Sequence, residues 1–473
     1  MTLQLTNDRF SIAIDRSKPV PITEQITTNL RSAIMDGLLE PGARLPSWLD
    51  MATRLGVARG TVKAAYERLT DEFLVVSAGA AGTRVAGRKP VTPTLPTRQI
   101  ARPLQGIERG FSLAPLPFQI GVPAQDAFPA KLWSRIRTRA VREDAMAPVG
   151  PPDPRGHPEL RAQIASYLAI SRGIRCVPDQ IILTSGYKNG LFLAITTLQL
   201  HGRSVWMEDP GYPIAKMGLE LAGMKVVPVP VDDQGIRVDR GIALAPDAGL
   251  AVVTPGQQAP TGVTMSPSRR RELLDWAKRE DAWIVEDDYL SELQLTGRAA
   301  PALAAEDTHG RVVHIGSFSK TLSPALSLGF LVAPLAMAER FGEVAACLNP
   351  APNPTTQLAL ASFLADGHYL RHLRHMKALY MERRNALREC LGQDLIMQDV
   401  SGLAVPIRLP KGFSDVALAQ QALGRGIAPL PMSVWHHNRE DAQPGFLLGV
   451  TNLRKGHLEQ ACGTLRELIA AGA

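Results

Sequence analysis

The sequence predicts an α/β protein of two domains, a small helical one at the amino end and a larger one built on a mostly parallel sheet. At 473 residues, the chain is longer than a single hydrophobic core usually serves. Residues 21–69 carry apolar side chains at helical spacing, whereas beyond Phe118 helical patterns alternate with short apolar runs. Those runs, which we predict to be strands, are residues 180–184, 204–207, 225–231, 250–254, 282–286 and 311–315. That alternation is typical of a parallel sheet covered by helices, and the helical patterns after Thr355 predict a carboxyl-terminal α+β subdomain.

The composition is that of an ordinary globular protein, with 45% hydrophobic and 21% charged residues. The net charge of +7 and the pI near 9.3 are compatible with a polyanionic partner, but many enzymes share them. The longest apolar run, residues 325–338, is too short to span a bilayer and is broken by Pro334. The four scattered cysteines suggest no metal site and fit a reducing compartment. We therefore expect a cytoplasmic protein that does not enter a membrane.

The amino-terminal segment, residues 1–87, has the pattern of a winged helix-turn-helix. A first amphipathic helix ends near Gly37, and two short helical patterns, residues 49–55 and 59–69, meet at Gly56. Two β-prone stretches, residues 73–76 and 83–85, follow with the small tip residues 80–82 (AAG) between them, and predict a hairpin, the wing. This order predicts a DNA-binding domain.

In a helix-turn-helix the second helix lies in the major groove and presents side chains to base edges. Arg59, Thr61 and Lys63 stand at the start of that helix and are the predicted groove residues. Arg44, Ser47 and Arg84 complete the predicted DNA-binding set, with the two arginines as phosphate contacts. From spacing alone, a small helical domain with a solvated basic face is an equally good interpretation.

Three segments resemble the winged helix of GntR-type regulators: residues 41–47 (PGARLPS), 55–62 (LGVARGTV) and 65–69 (AYERL). The resemblance covers residues 21–86 and implies binding to double-stranded DNA. Trp48 and Leu49 stand where that family usually has an arginine, and Gly60 stands where a polar residue is usual. One expected contact to DNA is therefore in doubt.

Residues 88–117 are rich in proline, threonine and arginine and show neither the apolar spacing of a helix nor the alternation of a strand. We interpret them as an interdomain linker that is partly extended. Residues 118–473 form the predicted effector domain.

Pyridoxal phosphate needs an amine for a Schiff base, an acid that faces its pyridine nitrogen, and donors for its phosphate. Lys320 follows an apolar run that ends at Ile315, and open α/β sheets bind ligands at such strand ends. Asp287 and Tyr289 follow another run and are candidates for the pyridine nitrogen and the ring oxygen. Taken singly, the lysine is more often a surface charge, and the acidic stretch a solvated turn.

The remaining candidates lie on turns. Ser185, Gly186 and Tyr187 precede a predicted helix, whose first amides suit a phosphate, although such a turn by itself is common. Tyr212 is a candidate cover for the ring, or merely a buried aromatic. Two serines beside Lys320, namely Ser317 and Ser319, complete the predicted cofactor-binding set.

The order of these segments along the chain resembles the fold-type-I aminotransferases, and their fusion to a winged helix resembles the MocR family. Six segments carry the resemblance: residues 153–161, 208–213, 260–264, 286–289, 317–320 and 372–380. It implies pyridoxal 5′-phosphate as cofactor, Lys320 as the residue that forms the Schiff base, and a homodimer.

The chain also departs from the aminotransferase pattern at chemically important positions. Ser327 takes the place of an arginine that usually contacts the phosphate, although Lys188 is a possible substitute. Gln257 and Ala259 replace the usual residues before a proline turn, and Leu447 stands in place of the arginine that clamps a substrate carboxylate. These changes predict weaker phosphate binding and poor handling of conventional amino acids.

Three hypotheses follow. The first is a transcription regulator whose large domain senses pyridoxal phosphate, its adduct with an amine or amino-acid-like effector, or another small ligand. The second is a working aminotransferase with an accessory DNA-binding domain, and the third is a degenerate sensor that no longer binds the cofactor. The missing carboxylate clamp disfavours the second hypothesis, and Ser327 favours the third.

Overall fold

The computed structural model describes residues 2–4, 11–77, 82–87, 114–147, 150, 152–297, 299–348, 352–392, 402–439 and 442–471. The chain divides into two compact units, Met1–Arg102 and Pro103–Ala473. This division falls within the predicted linker, residues 88–117, of which all but the last four lie outside the described residues. The bounds of the linker therefore stay a prediction.

The first unit contains three helices and two small hairpins. Its elements are β1 (Thr2–Gln4), β2 (Ser11–Ala13), α1 (Ile22–Met35), α2 (Trp48–Leu55), α3 (Arg59–Asp71), β3 (Val75–Ser77) and β4 (Thr83–Val85). Both strand pairs are antiparallel. The three helices and the β3–β4 wing lie where the sequence predicts them, whereas the hairpin of β1 and β2 was not predicted. Residues 78–81 of the wing, with two of its three predicted tip residues, lie outside the described residues.

Local signals set the ends of the two short helices. The Ser47 hydroxyl accepts a hydrogen bond from the Asp50 amide at 3.0 Å and so caps the start of α2. Gly56 ends α2 in the left-handed conformation, with φ of 62°. Apolar side chains from all three helices, among them Leu30, Leu55 and Val62, are fully or almost fully buried in one core. The apolar pattern of the sequence thus fixes how α1, α2 and α3 pack.

The second unit contains an eight-stranded mixed sheet covered by helices. Its strands are β5 (Ile181–Thr184), β6 (Ser204–Asp209), β7 (Lys225–Asp232), β8 (Gly235–Ile236), β9 (Leu250–Val253), β10 (Trp283–Asp288), β11 (Val312–Ser317) and β12 (Gly329–Val332). The spatial order is β5-β12-β11-β10-β9-β6-β7-β8. The five strands from β11 to β7 are parallel, and β12 runs antiparallel to both of its neighbours.

In the described part of the second unit, nine helices come before the carboxyl-terminal elements along the chain. They are α4 (Ala130–Ala145), α5 (Pro158–Ser171), α6 (Tyr187–Thr197), α7 (Pro213–Leu221), α8 (Val238–Leu244), α9 (Pro267–Arg279), α10 (Leu303–Glu306), α11 (Ala338–Leu348) and α12 (Pro354–Ala365), all within the described ranges. The remaining elements are α13 (His368–Leu391), β13 (Ala404–Arg408), α14 (Asp415–Gly424), β14 (Leu430–Pro431), β15 (Gly445–Gly449) and α15 (Leu458–Ala471).

The last strands form a separate three-stranded antiparallel sheet in the order β13-β15-β14. Phe118 forms an antiparallel bridge with Gly449 of β15, so the start of the second unit runs along this small sheet. The carboxyl-terminal α+β subdomain is therefore present, as the sequence predicts. Among the described residues, no helix combines the length and the apolar character that crossing a bilayer requires.

Candidate functional site

The predicted cofactor residues meet at one edge of the large sheet. Lys320 follows β11, Asp287 lies near the end of β10, Tyr212 follows β6, and Ser185 follows β5. These four strands run in the same direction, because β5 and β11 are both antiparallel to β12. Their carboxyl ends therefore share one edge, which is where open α/β sheets bind ligands.

The Lys320 side chain is covered by the backbone of a distant segment. Its Nζ donates a hydrogen bond to the Gly121 carbonyl oxygen at 2.9 Å. Gly121 has a φ of +79°, and a Cβ there would lie 2.8 Å from the Lys320 Nζ. The left-handed backbone favours glycine at this position, and a Cβ would displace the flexible end of the lysine from the carbonyl. The sequence analysis missed Gly121, which lies 199 residues before Lys320.

Asp287 is a buried acid whose environment disfavours its negative charge. Burial raises its pKa well above the usual value, and the nearby acids Asp288 and Glu208 raise it further. The positive charge of Lys320 and the Tyr187 hydroxyl lower the pKa of Asp287. That hydroxyl is itself buried and has no hydrogen bond of good geometry within the described chain. The Asp287 carboxyl is therefore placed where an additional cation would be strongly favoured.

Two salt bridges lie on the opposite side of β10 from Asp287, because side chains alternate along a strand. The Arg172 Nε lies 2.6 Å from Asp288 Oδ2, and the His314 Nδ1 lies 2.9 Å from Glu286 Oε2. Burial alone would raise the pKa of Glu286, but the charge and hydrogen bond of His314 lower it. Glu286 and Asp288 are thus paired with cations on that side of the strand. Asp287 is the acid of β10 that lies on the same side as Tyr187.

Glu208 is a further buried acid of the site, which the sequence analysis named only as part of a motif. Burial raises its pKa to about 7. The hydroxyl of Thr254 donates to Glu208 Oε2 at 2.6 Å, and the Gln258 amide donates to the same oxygen at 3.3 Å. These bonds lower the pKa but do not outweigh burial.

The start of α6 forms the predicted phosphate side of the site. Gly186 precedes the helix with a φ of 112°, and a Cβ on Gly329 would lie 2.9 Å from the Gly186 Cα. The Ser185 amide donates to Asn189 Oδ1 at 3.0 Å, so this predicted donor is already engaged. Beside Lys320, the Ser317 hydroxyl accepts a hydrogen bond from the Ser319 amide at 3.2 Å.

Ser327 stands at an exposed turn between β11 and β12. Its backbone is left-handed, with φ of 46° and ψ of 47°. The residue at this position is neutral, and Lys188 near the start of α6 is also exposed. The helix terminus and Lys188 are therefore the candidate sources of positive charge at the predicted phosphate side.

Aromatic side chains cover the site. The ring centroids of Tyr187 and Tyr212 are 6.3 Å apart, and those of Tyr212 and Trp435 are 5.9 Å apart. Tyr289 and the buried Leu447 belong to the same cluster. Trp435, from the segment after β14, was not predicted as a site residue, since no motif marks it.

The predicted groove residues of the first unit lie at the start of α3. Arg59 and Lys63 are exposed, and Thr61 is half-buried. Lys63 forms a loose ion pair with Glu67 at 3.7 Å. Within the described chain, no hydrogen bond or ion pair engages the Arg59 side chain. Arg59 is thus available to an external partner.

Of the other three predicted DNA-binding residues, Arg84 lies in wing strand β4, and Arg44 and Ser47 come shortly before α2. Arg44 and Arg84 are exposed and form an antiparallel bridge through their backbones. The Arg84 guanidinium also donates to the Gly42 carbonyl oxygen at 3.0 Å. Ser47 is exposed, but its hydroxyl caps α2. Two further arginines are neutralised by acids within the unit, in the pairs Arg54–Asp50 and Arg68–Glu24.

Comparison with known proteins identifies both units. Residues 22–85 match the family of bacterial regulatory proteins of the gntR type, and residues 134–462 match aminotransferase class I and II. The chain is 34% identical to the Rhizobium meliloti protein named "Probable rhizopine catabolism regulatory protein MocR", over 97% of this chain and 96% of that one. The chain belongs to the MocR-type transcriptional regulators.

Two further MocR-type relatives support this assignment. The pyridoxine biosynthesis transcriptional regulator PdxR of Corynebacterium glutamicum is 33% identical, with 80% of this chain and 81% of the relative covered. The regulator TauR of Rhodobacter capsulatus is 34% identical, with 76% and 77% covered. The predicted family and the predicted role as a transcription regulator with a GntR-type DNA-binding domain are thereby confirmed.

Solved structures confirm the predicted fold of the second unit. An archaeal alanine:glyoxylate aminotransferase aligns with a TM-score of 0.69 at 24% identity, over 78% of this chain and 93% of that one. The kynurenine aminotransferase of Pyrococcus horikoshii aligns with a TM-score of 0.66 at 23% identity, over 76% and 92%. The large unit of this MocR-type regulator therefore has the fold of the aminotransferases.

Proposed function

We propose that this MocR-type regulator binds pyridoxal 5′-phosphate in its aminotransferase-like unit, and that the cofactor or its adduct with an amine changes the affinity for double-stranded DNA. The observation that carries the proposal is the meeting of Lys320, Asp287 and the start of α6 at one sheet edge. When bound there, pyridoxal phosphate supplies an aldehyde that condenses reversibly with primary amines.

The buried acid supports the fit of the pyridine ring. Asp287 has a raised pKa and lies near few compensating cations, so a protonated ring nitrogen would stabilise its carboxylate. The Tyr187 hydroxyl, buried without a well-formed hydrogen bond in the described chain, offers a further polar contact. Tyr212 would cover the ring, and Tyr289 would donate to the ring oxygen.

Neutral donors would hold the phosphate. Gly186 and Tyr187 contribute backbone amides at the start of α6, and Ser317 and Ser319 contribute hydroxyls. Ser185 would contact the phosphate through its hydroxyl, because its amide already donates to Asn189. With Ser327 in place of a cation, we expect a phosphate affinity roughly ten- to a hundredfold below that of a site with an arginine.

The first unit would read DNA through α3. Arg59, Thr61 and Lys63 would face base edges in the major groove, and Arg44 and Arg84 would contact phosphates. Since the Ser47 hydroxyl caps α2, we assign Ser47 the positioning of that helix on the backbone. A homodimer would present two such helices to paired half-sites.

Absorbance spectroscopy tests the cofactor half of this proposal. The full-length protein with pyridoxal phosphate should develop a band near the visible edge, and Lys320→Ala should lose it. Lys377→Ala is the matched control, because Lys377 is a lysine of α13 whose amine lies 3.5 Å from the Gly297 carbonyl oxygen. A protein that stays colourless with added pyridoxal phosphate would favour the degenerate sensor. Steady conversion of amino acids to keto acids would favour the enzyme.

A further inference from the structure

Apolar and aromatic side chains cluster next to the candidate site. The segment that covers Lys320 continues from Gly121 into Ile120, whose side chain packs on this cluster. Tyr289, two residues after Asp287, packs there as well. We call this cluster the apolar wall; it comprises Ile120, Tyr212, Ala259, Tyr289, Trp435 and Leu447. The wall thus adjoins both the lysine and the strand that carries the buried acid.

Leu447 is a buried member of this wall. It is the third residue of β15, is 3% exposed, and pairs with Pro406 of β13 and Leu430 of β14. Its neighbours in the cluster are apolar or aromatic. A carboxylate placed against Leu447 would lose its hydration without gaining a charged partner from this side chain, which is unfavourable.

Two uncharged polar groups are buried here, one on Trp435 of the wall itself and one on Gln257. The Gln257 Oε1 and the Trp435 Nε1 have no hydrogen-bond partner in the described part of the chain, and their residues are 6% and 8% exposed. Gln257 lies two residues before Ala259 of the wall. One group is an acceptor and the other a donor, and buried groups of this kind require partners. Neither group carries a charge, so neither would compensate the charge of a buried carboxylate.

We propose that the effector of this regulator is a primary amine with an uncharged body, and not an α-amino acid. Its nitrogen would be directed at the Lys320 end of the pocket, and its body would lie on the apolar wall beside Gln257 and Trp435. This inference rests on the proposed function, because the amine is taken to act through the cofactor held at Lys320. It adds the chemical class of the ligand.

A neighbouring cleft offers the main alternative place for a carboxylate. Its charged and titratable lining residues are Lys216, His436, His437 and Arg439, together with the acids Glu208, Asp209 and Glu220. Trp435 belongs both to this cleft and to the apolar wall, so the two regions are adjacent. Because the cleft carries acids as well as cations, we assign it no role in binding the effector.

Matched ligand pairs test the proposal on the wild-type protein. 3-Methylbutylamine and leucine differ by one carboxylate, as do 2-phenylethylamine and phenylalanine. With pyridoxal phosphate present, we expect each amine to shift the absorbance band and raise the Tm at a concentration at least roughly tenfold below that of its amino acid. Equal or tighter binding of the amino acids would overturn the proposal.

Substitutions at Leu447 test whether this residue determines the preference for amines over amino acids. Leu447→Arg should lower the half-saturating concentration of leucine at least roughly tenfold, since it supplies a charged partner for the carboxylate, and should reverse the preference. Leu447→Gln, which is polar but uncharged, should not reverse it. Arg439→Ala should leave the preference unchanged, and a loss of amino-acid binding in this variant would overturn the proposal. Should Leu447→Arg fail to fold, the wild-type pairs still decide.

These outcomes separate the two proposals. A protein that develops no band with pyridoxal phosphate contradicts the proposed function. A protein that develops the band but prefers amino acids to amines contradicts this inference alone, and leaves cofactor binding intact.

Discussion

The two units hold their functional side chains in opposite environments. Arg59 and Lys63 of the first unit are exposed at the start of a helix, whereas Asp287 and Glu208 of the second unit are buried. Exposed charges interact mainly with external ions, so their effects depend on salt. Buried acids interact mainly with the protein, so their effects depend on pH. The comparison predicts that salt acts chiefly on the small unit and pH on the large one.

The largest expected effect is the loss of stability caused by a cavity in the hydrophobic core of the small unit. Leu30→Ala removes a fully buried side chain and should destabilise this unit by about 2–5 kcal/mol. Hydrogen exchange of the full-length protein should show loss of protection in α1 to α3 with the large sheet unaffected, and DNA binding should weaken while the pyridoxal band remains. Leu331→Ala in β12 is the control, which should reduce protection in the large sheet and leave α1 to α3 protected. Equal loss of protection in both units would contradict their independence.

Glu208 should make the large unit sensitive to pH. Its folded pKa, about 7, is above the ordinary value of 4.5, so the folded state holds the proton more tightly than the unfolded state. The stability that this group contributes is therefore complete below pH 4.5 and is lost as the pH rises to 7. At about 1.4 kcal/mol per pKa unit, the loss is about 3 kcal/mol.

Glu208→Gln should remove this dependence. Denaturant titrations at pH 4.5 and 7 should show a smaller loss of unfolding free energy in the variant than in the wild type. Glu220→Gln, at an exposed position of α7, should follow the wild type. Identical pH profiles for the wild type and Glu208→Gln would show that burial does not control this carboxyl.

Arg59→Ala should weaken DNA binding. The loss of a groove contact costs about 1–3 kcal/mol, or roughly five- to a hundredfold in affinity, and should relax preference at one base pair. Arg84→Ala should instead weaken binding to all sequences and reduce the salt dependence by about one ion. Titrations at several salt concentrations separate the two. If both variants gave the same uniform loss, the assignment of Arg59 to a base edge would be wrong.

Gly60 gives the smallest expected effect. It is the second residue of α3, and a Cβ there would meet no atom of the described chain within 4 Å. Gly60→Ala should therefore stabilise the small unit by about 0.5–1 kcal/mol through reduced freedom of the unfolded chain. Thermal unfolding measures the gain. A destabilised Gly60→Ala would mean that this position needs glycine for its backbone, contrary to the geometry.

Periodicity predicted most of the fold. The three helices of the small unit and six strands of the large sheet, β5, β6, β7, β9, β10 and β11, lie where apolar patterns placed them. Strand β12 was missed because it lies inside the apolar run of residues 325–338, and the length of that run does not mark where a four-residue strand begins and ends. The hairpin of β1 and β2 was missed because its strands are only three residues long and, unlike the equally short strands of the wing, have no glycine between them to mark a turn.

The candidate site was predictable where chemistry follows a strand. Lys320 and Asp287 were found because a lysine and an acid each stand at the end of an apolar run. Gly121 and Trp435 were missed because they reach the site from distant segments, through a backbone carbonyl and an apolar contact. No local pattern encodes such contacts, since they depend on how the small sheet lies against the large one.

The most direct test of the account is the affinity of the full-length protein for its own upstream DNA, measured at fixed salt with and without pyridoxal phosphate, and then with 3-methylbutylamine added. We predict a preference over random competitor DNA that changes at least roughly fivefold with the cofactor or the amine, and a Lys320→Ala variant that no longer responds to either. Binding without any preference for this DNA, or a preference that neither ligand alters, would contradict the account.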